Sequence, residues 1–207
     1  MAPSLSIYKL TPSDSAHWST AMQIYRDAFP EWEREPEEII HKRVNSGRYA
    51  MYCGQKDNDV IGFYILDIDP KHHYVFFCFL AVVEDCRGQG YGTYMCRDAI
   101  TRFYNEYDID WLLIEAEERQ AIFYGQLGFK KFDMPYQVPK YNAPDSVPMH
   151  LMAISANINQ DSIDKPSLSQ LIADVFVSGY HLSMEDARIT QQIAAIPDNV
   201  KLINWPQ

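Results

Sequence analysis

The residues with the clearest chemical content sit between an apolar run and a helical pattern. Arg87-Gly88-Gln89-Gly90-Tyr91-Gly92 follows the unbroken apolar run 74–83 and precedes Tyr94, Met95, Ala99, Ile100 and Phe103, which recur at helical spacing. Glycines let backbone N–H groups come close to an anion's oxygens, and the helix N-terminus behind them adds partial positive charge. Arg87 adds a full charge. A strand, a glycine turn and a helix in this order can hold phosphate groups, and the same order can serve as a tight connection without a ligand. Two other phosphate loops are excluded. A Walker loop ends in Gly-Lys-Ser/Thr, and Gly92-Thr93 has no lysine before the threonine. A dinucleotide loop reads Gly-x-Gly-x-x-Gly, whereas these glycines fall at 88, 90 and 92.

One helix and one strand further along, the chain reads Phe123-Tyr124-Gly125-Gln126-Leu127-Gly128-Phe129. Arg87–Gly92 matches the pattern Gln/Arg-x-x-Gly-x-Gly/Ala, and Phe123–Phe129 matches aromatic-Tyr-x-x-Leu-Gly-Phe. On these two motifs the sequence resembles the GNAT acetyltransferase family over roughly residues 5 to 153. The resemblance implies an α/β fold with a central twisted mixed sheet, flanked by helices, whose two middle parallel strands splay to admit acetyl-CoA or another acyl-CoA. It implies that Arg87, Gly88, Gln89, Gly90, Tyr91, Gly92 and Thr93 hold the pyrophosphate. Leu80, Ala81 and Val82 would offer backbone groups to the pantetheine amides, as though these were an added strand. One position departs from the family: seven residues before the tyrosine many members carry Asn, and here stands Glu117.

The implied chemistry, direct acyl transfer to an amine, needs a neutral amine and a proton for the departing thiolate. A thiol near pKa 8.5 and a tyrosine near 10 are close enough for Tyr124, which the family motif places beside the thioester sulfur, to act as general acid. The alternative is a core tyrosine packed on the sheet. On the strand 111–117, Trp111, Leu113, Glu115 and Glu117 share one face, which turns acidic toward its end. Glu115 is the candidate general base, against the reading of a solvated strand-end carboxylate. The stretch Glu31-Trp32-Glu33-Arg34-Glu35-Pro36-Glu37-Glu38 holds five acids and one base. It could attract a cationic amine, or be a solvated helix start where acids favour the dipole. His72-His73 could relay a proton or be polar edge residues, and Tyr136, Pro139 and Tyr141 fall in a loop that could wall the acceptor site or simply carry exposed aromatics.

The elements that must position these residues are legible in outline. Leu5 to Leu10 reads as a strand, and Thr11–Asp14 as a turn into a helix bearing Trp18, Met22, Ile24, Tyr25 and Phe29 that Pro30 ends. A helix from Glu37 to about Asn45, a hairpin over 48–67 and a central strand over 74–83 follow. The phosphate loop opens a helix, Trp111–Ala116 is a strand, and a helix from about Arg119 to Gln126 ends near Gly128. Phe129–Phe132 resumes an extended run, and Met149–Ile154 is expected as the last strand. Beyond it, Pro166-Ser167-x-x-Gln170 reads as a capped helix start with Leu168, Leu171, Ile172, Val175 and Phe176 on one face. Gly179 stops it, and Ser183-x-x-Asp186 starts another helix with Ala187, Ile193 and Ala194 as its apolar positions. The expected organisation is a GNAT domain over 1–155 and a helical extension over 156–207, whose apolar faces are covered intramolecularly or in a homodimer.

Composition narrows the partners. In 207 residues, 47% hydrophobic content can bury a core, and 18 basic against 28 acidic residues give a net charge of −10. That charge argues against nucleic acid and anionic membranes as partners, and favours a cationic one. The four cysteines, Cys53, Cys78, Cys86 and Cys96, form no Cys-x-x-Cys pair, so neither a metal site nor a disulfide framework is expected. No apolar run reaches the ~18 residues of a membrane span, and Met1-Ala2-Pro3-Ser4 lacks the start of a signal peptide, so a cytoplasmic location is expected. Two functions fit. One is acyl transfer to a primary amine of a small molecule or peptide; the other is an acyl-CoA-binding sensor or scaffold that has lost turnover.

Overall fold

Asp14 starts the first helix by turning its carboxylate back: it accepts from the His17 N–H at 3.3 Å, satisfying one of the donors a helix start leaves open. The computed structural model describes residues 5–206. In it β1 (Ser6–Leu10) leads into α1 (Ser15–Ala28), which ends just before Pro30, and α2 (Glu37–Ser46) ends on Gly47 at φ 79°, a left-handed cap. The hairpin β2 (Tyr49–Lys56) and β3 (Asp59–Asp69) turns through Asp57 and Asn58, both at positive φ as a tight antiparallel turn requires. Then come β4 (Tyr74–Val82), α3 (Tyr91–Glu106), β5 (Trp111–Ala116), α4 (Glu118–Gly125) and β6 (Lys130–Phe132). The short hairpin β7 (Gln137–Pro139) and β8 (Ser146–Pro148) precedes β9 (His150–Ser155). The chain continues as β10 (Ser162–Asp164), α5 (Lys165–Asp174), α6 (Ala187–Ala194) and β11 (Asn199–Asn204). The architecture is α/β, a mixed sheet flanked by helices.

The chain divides into two compact units, one formed by the residues up to Asp69 with Phe77–Asp108, the other by Pro70–Phe76 with the residues from Ile109 onward. The segment 156–207 thus shares a unit with 109–155. In the first unit the strands run β1-β2-β3-β4. α1 and α2 cover this sheet with Ala21, Met22, Tyr25 and Ile40, which meet Met51, Phe63 and Phe79 in a continuous apolar core. The close approach of β3 and β4 is enforced at Gly62, where a Cβ would stand 2.5 Å from the Ala81 carbonyl oxygen. In the second unit the order is β4-β5-β9-β6-β11-β10. Its parallel ladder is short, Tyr74↔Trp111 to Phe76↔Leu113, and the other pairings along this order are antiparallel.

The segment after Ser155 differs from its sequence reading in three ways. It is not helical alone, because β10 and β11 follow β9, and β11 pairs with β6 through Leu202↔Phe132. The cap of α5 is Asp164, whose carboxylate accepts from Ser167 N–H at 2.9 Å, so Ser167 lies inside the helix start. α6 is capped by Asp186 and buries Ile189 and Gln192, while Ala187 and Ala194 are exposed. Gln192 is the reason the apolar pattern misled: its side chain accepts from Gln137 N–H at 2.9 Å and donates to the Pro135 carbonyl at 3.0 Å, so a polar residue is at home in the core.

Candidate active site

The glycine turn is built as a cradle. Gly88 and Gly90 take φ of 75° and 85°, values that favour glycine, and a Cβ at either would meet nothing within 4 Å. Residues 87–90 are exposed, and Gly90 stands at the N-cap of α3 without a side chain to satisfy the helix start. The ladder of α3 opens with Tyr94 N–H to the Gly90 carbonyl at 3.0 Å, so the N–H groups of Tyr91, Gly92 and Thr93 precede it. Gln89 Nε2 donates to the Asp85 carbonyl at 2.9 Å and Arg87 Nε donates to the Val82 carbonyl at 3.0 Å, each folding its side chain back to tie the turn. An open glycine surface, an uncapped helix end and a guanidinium beside it can take up a pyrophosphate.

The upstream strand presents its peptide groups in alternation. Val83 N–H donates to the Ile61 carbonyl at 2.9 Å, which turns Val83, and by the two-residue period Ala81, toward β3. Leu80 and Val82 therefore carry the backbone groups of the other edge, and Ala81 does not.

In the second unit, β5 delivers Glu115 half-buried, and two tyrosines converge on it. Tyr136 Oη donates to Glu115 Oε1 at 2.5 Å, and Tyr180 Oη donates to Glu115 Oε2. Burial, reinforced by the Glu115 charge, pushes both phenols well above the usual tyrosine range, so both remain O–H donors. Glu117 is exposed at the N-cap of α4, and Glu118 next to it pairs with His150 at 2.7 Å. Tyr124 is buried in α4, its ring against Phe123 at 5.0 Å and Phe129 at 5.6 Å, and its carbonyl accepts from Phe129 N–H as the helix ends. Behind it the chain passes so closely that a Cβ on Gly125 would stand 1.7 Å from the Trp205 carbonyl oxygen.

Other expected residues are placed differently. Within the acidic stretch, Glu35 is neither solvated nor at a helix start: it is 1% exposed, accepts from Tyr49 Oη at 2.8 Å and lies 3.4 Å from Arg43 Nη1. Arg43 also donates to Tyr49 Oη, and Arg48 binds Asp67 and Asp69 beside them. His72 Nδ1 lies 3.1 Å from Asp174 and His73 Nδ1 3.5 Å from Asp110. Tyr141 donates to the Gly179 carbonyl at 2.7 Å. The four cysteines are free thiols, those of Cys53 and Cys96 pushed up to about 12 by burial. Sequence reasoning missed Tyr180 altogether, since nothing around it announces a partner 65 residues away.

Among the described residues no helix is long and apolar enough to cross a membrane, and no cluster of His, Cys, Asp or Glu could hold a metal ion. The sequence model of the acetyltransferase (GNAT) family matches residues 18–129, just over half of the chain. No curated protein matches in sequence. Among solved structures, a protein assigned to the GNAT family from Bacteroides thetaiotaomicron superposes with a TM-score of 0.68 at 19% identity, covering 86% of this chain and 99% of its own. The spermidine N-acetyltransferase of Vibrio cholerae, solved with CoA and spermine, gives 0.59 at 15% identity over 73% of this chain and 95% of its own. The ribosomal-protein-S18-alanine N-acetyltransferase of Escherichia coli gives 0.57 at 17% identity over 75% of this chain and 96% of its own. The Bacteroides match is too long to end at Ser155, so part of the C-terminal segment has a counterpart there. With both motifs inside the matched region and the same fold in these neighbours, the chain belongs to the acetyltransferase (GNAT) family.

Proposed function

We propose that this protein transfers an acetyl or other acyl group from acyl-CoA to a primary amine of a small molecule or peptide. The observation that carries the reading is the turn after β4, with its two left-handed glycines and the uncapped start of α3. Two neighbours of the same fold named for amine acceptors, one of them solved with CoA and spermine, support it. Bound acyl-CoA supplies an activated thioester. The N–H groups of residues 91–93 and the Arg87 charge offset the pyrophosphate, with Gly88 and Gly90 leaving room for its approach and Gln89 bracing the turn. Leu80 and Val82 offer peptide groups to the pantetheine amides. Tyr124 gives a proton to the departing sulfur, a transfer between groups whose ordinary pKa values lie within about two units. Glu115 takes the proton the amine must lose, its carboxylate held in orientation by Tyr136 and Tyr180. The net charge of −10 favours a cationic acceptor.

Calorimetric titration of acetyl-CoA into the wild type, Gly90→Glu and Gly47→Glu tests the cofactor site. Both glycines sit in the left-handed region with open space beyond them, so Gly47→Glu carries the same backbone strain far from the turn. Micromolar binding, about −8 kcal/mol, in the wild type and Gly47→Glu and its loss in Gly90→Glu is the expected result. Equal binding in all three would remove the phosphate loop from the account. Release of free thiol with a panel of polyamines, lysine and short peptides, lost in Tyr124→Phe, would establish turnover; binding without any release would favour a sensor or scaffold.

A further inference from the structure

Tyr180 reaches Glu115 from a segment that the two family motifs do not include. We propose that Tyr180 is a positioning residue for Glu115, with Tyr136 as its counterpart, so that the chain after Ser155 completes the acyl-transfer site; this rests on the reading of Glu115 as the group that takes the acceptor's proton.

The geometry is specific. Each carboxylate oxygen of Glu115 receives one phenol, Oε1 from Tyr136 and Oε2 from Tyr180, which fixes the rotation of the carboxyl plane and favours its ionised form. Carboxylate acceptor capacity exceeds two bonds, so the clamp does not by itself exclude an ammonium proton. The two donors come from unrelated places: Tyr136 precedes β7, and Tyr180 follows a π-helical turn, Val175–Gly179, that prolongs α5. A π-turn inserts an extra residue into a helix and is seldom kept without a use. Here it runs to Gly179, and Tyr180 follows directly as its C-terminal cap.

That turn is moored along its length. His72 lies 3.1 Å from Asp174, Tyr74 Oη lies 3.4 Å from Ser178 Oγ, and Tyr141 donates to the Gly179 carbonyl. Phe176, completely buried, packs edge-on against Tyr180 at 6.0 Å and tilted against Tyr136 at the same distance, touching both donors. Tyr141 also lies against the Tyr180 ring, at 5.0 Å. Tyr136 and Tyr180 are titratable groups that face the carboxylate in this arrangement, and Tyr141 lies against the Tyr180 ring.

The test uses the full chain with 13C-labelled glutamate side chains. The Glu115 carboxyl resonance is assigned by its loss in Glu115→Gln and titrated in the wild type, Tyr180→Phe and Tyr136→Phe, each checked for folding by thermal melting. Removing an O–H donor to the ionised form raises the proton affinity of the carboxyl, so the midpoint is expected to move up by about one pH unit in either variant. An unmoved midpoint in folded Tyr180→Phe overturns the proposal. The underlying reading is tested separately, by thiol release from acetyl-CoA with spermine, lysine and an alanine-initiated peptide. Undiminished release by Glu115→Gln would remove Glu115 from the reaction whatever the titration shows, whereas its loss there, together with the shifted midpoint, supports the clamp.

Discussion

A carboxylate in the core must be compensated, and Glu35 shows how incompletely. Burial pushes its carboxyl up to about 7, against the pull of Arg43 and of the Tyr49 hydrogen bond. The folded chain therefore holds this proton more tightly than the unfolded chain, whose glutamates titrate near 4.3. Stability from this group is fully present below that lower value and is lost as pH rises through about 7, by up to about 4 kcal/mol. Asp67, raised by burial against its Arg48 partner, acts in the same direction. Urea unfolding at pH 5, 6, 7 and 8 should show this decline in the wild type and a flatter dependence in Glu35→Gln, which keeps the size and removes the titration. Equal slopes in the two proteins would mean that Glu35 stays ionised throughout. None of this was legible in the acidic stretch, because five acids within eight residues look alike in sequence. Only the packing of Tyr25, whose hydroxyl donates to the Glu35 carbonyl, and of Tyr49 tells which one is inside.

At the scale of elements, α4 shows what a motif glycine is for. Gly125 follows Tyr124, and the backbone at Trp205 lies where a Cβ would need to be, 1.7 Å from the carbonyl oxygen and 2.8 Å from the carbonyl carbon. Alanine has the higher helix propensity by about 1 kcal/mol, so in an exposed helix this exchange stabilises. Here overpacking opposes it and backbone must move, at a cost of about 1–3 kcal/mol. Gly125→Ala is expected to unfold at lower urea than the wild type; a higher midpoint would show that the Trp205 segment does not press on α4. The sequence announced α4, β5 and the glycine turn well, because each has a strong period or a turn residue at its boundary. β11 carries the alternation of a strand, Val200 and Leu202 buried between exposed Asn199 and Lys201, but in a stretch too short and polar to stand out beside the helical patterns before it. α6 was harder, since its buried Gln192 breaks the apolar pattern for the sake of the Pro135 and Gln137 backbone.

For the molecule as a whole, the segment after Ser155 behaves as structure rather than appendage. It covers its own apolar face: Leu168, Leu171, Ile172 and Phe176 of the α5 arm are buried within the chain, as are Val200 and Leu202 of β11. At about 1.5–3 kcal/mol for each such side chain, their burial contributes roughly 10 kcal/mol or more, comparable to the entire net stability of a domain, about 5–15 kcal/mol. β11 also pairs with β6, so ending the chain at Ser155 would expose a strand edge together with that apolar surface. The shortened protein is therefore expected to lose its cooperative urea transition and its near-ultraviolet circular dichroism, even though residues 18–129 carry the family match. An unchanged midpoint after truncation would instead make the segment dispensable to folding.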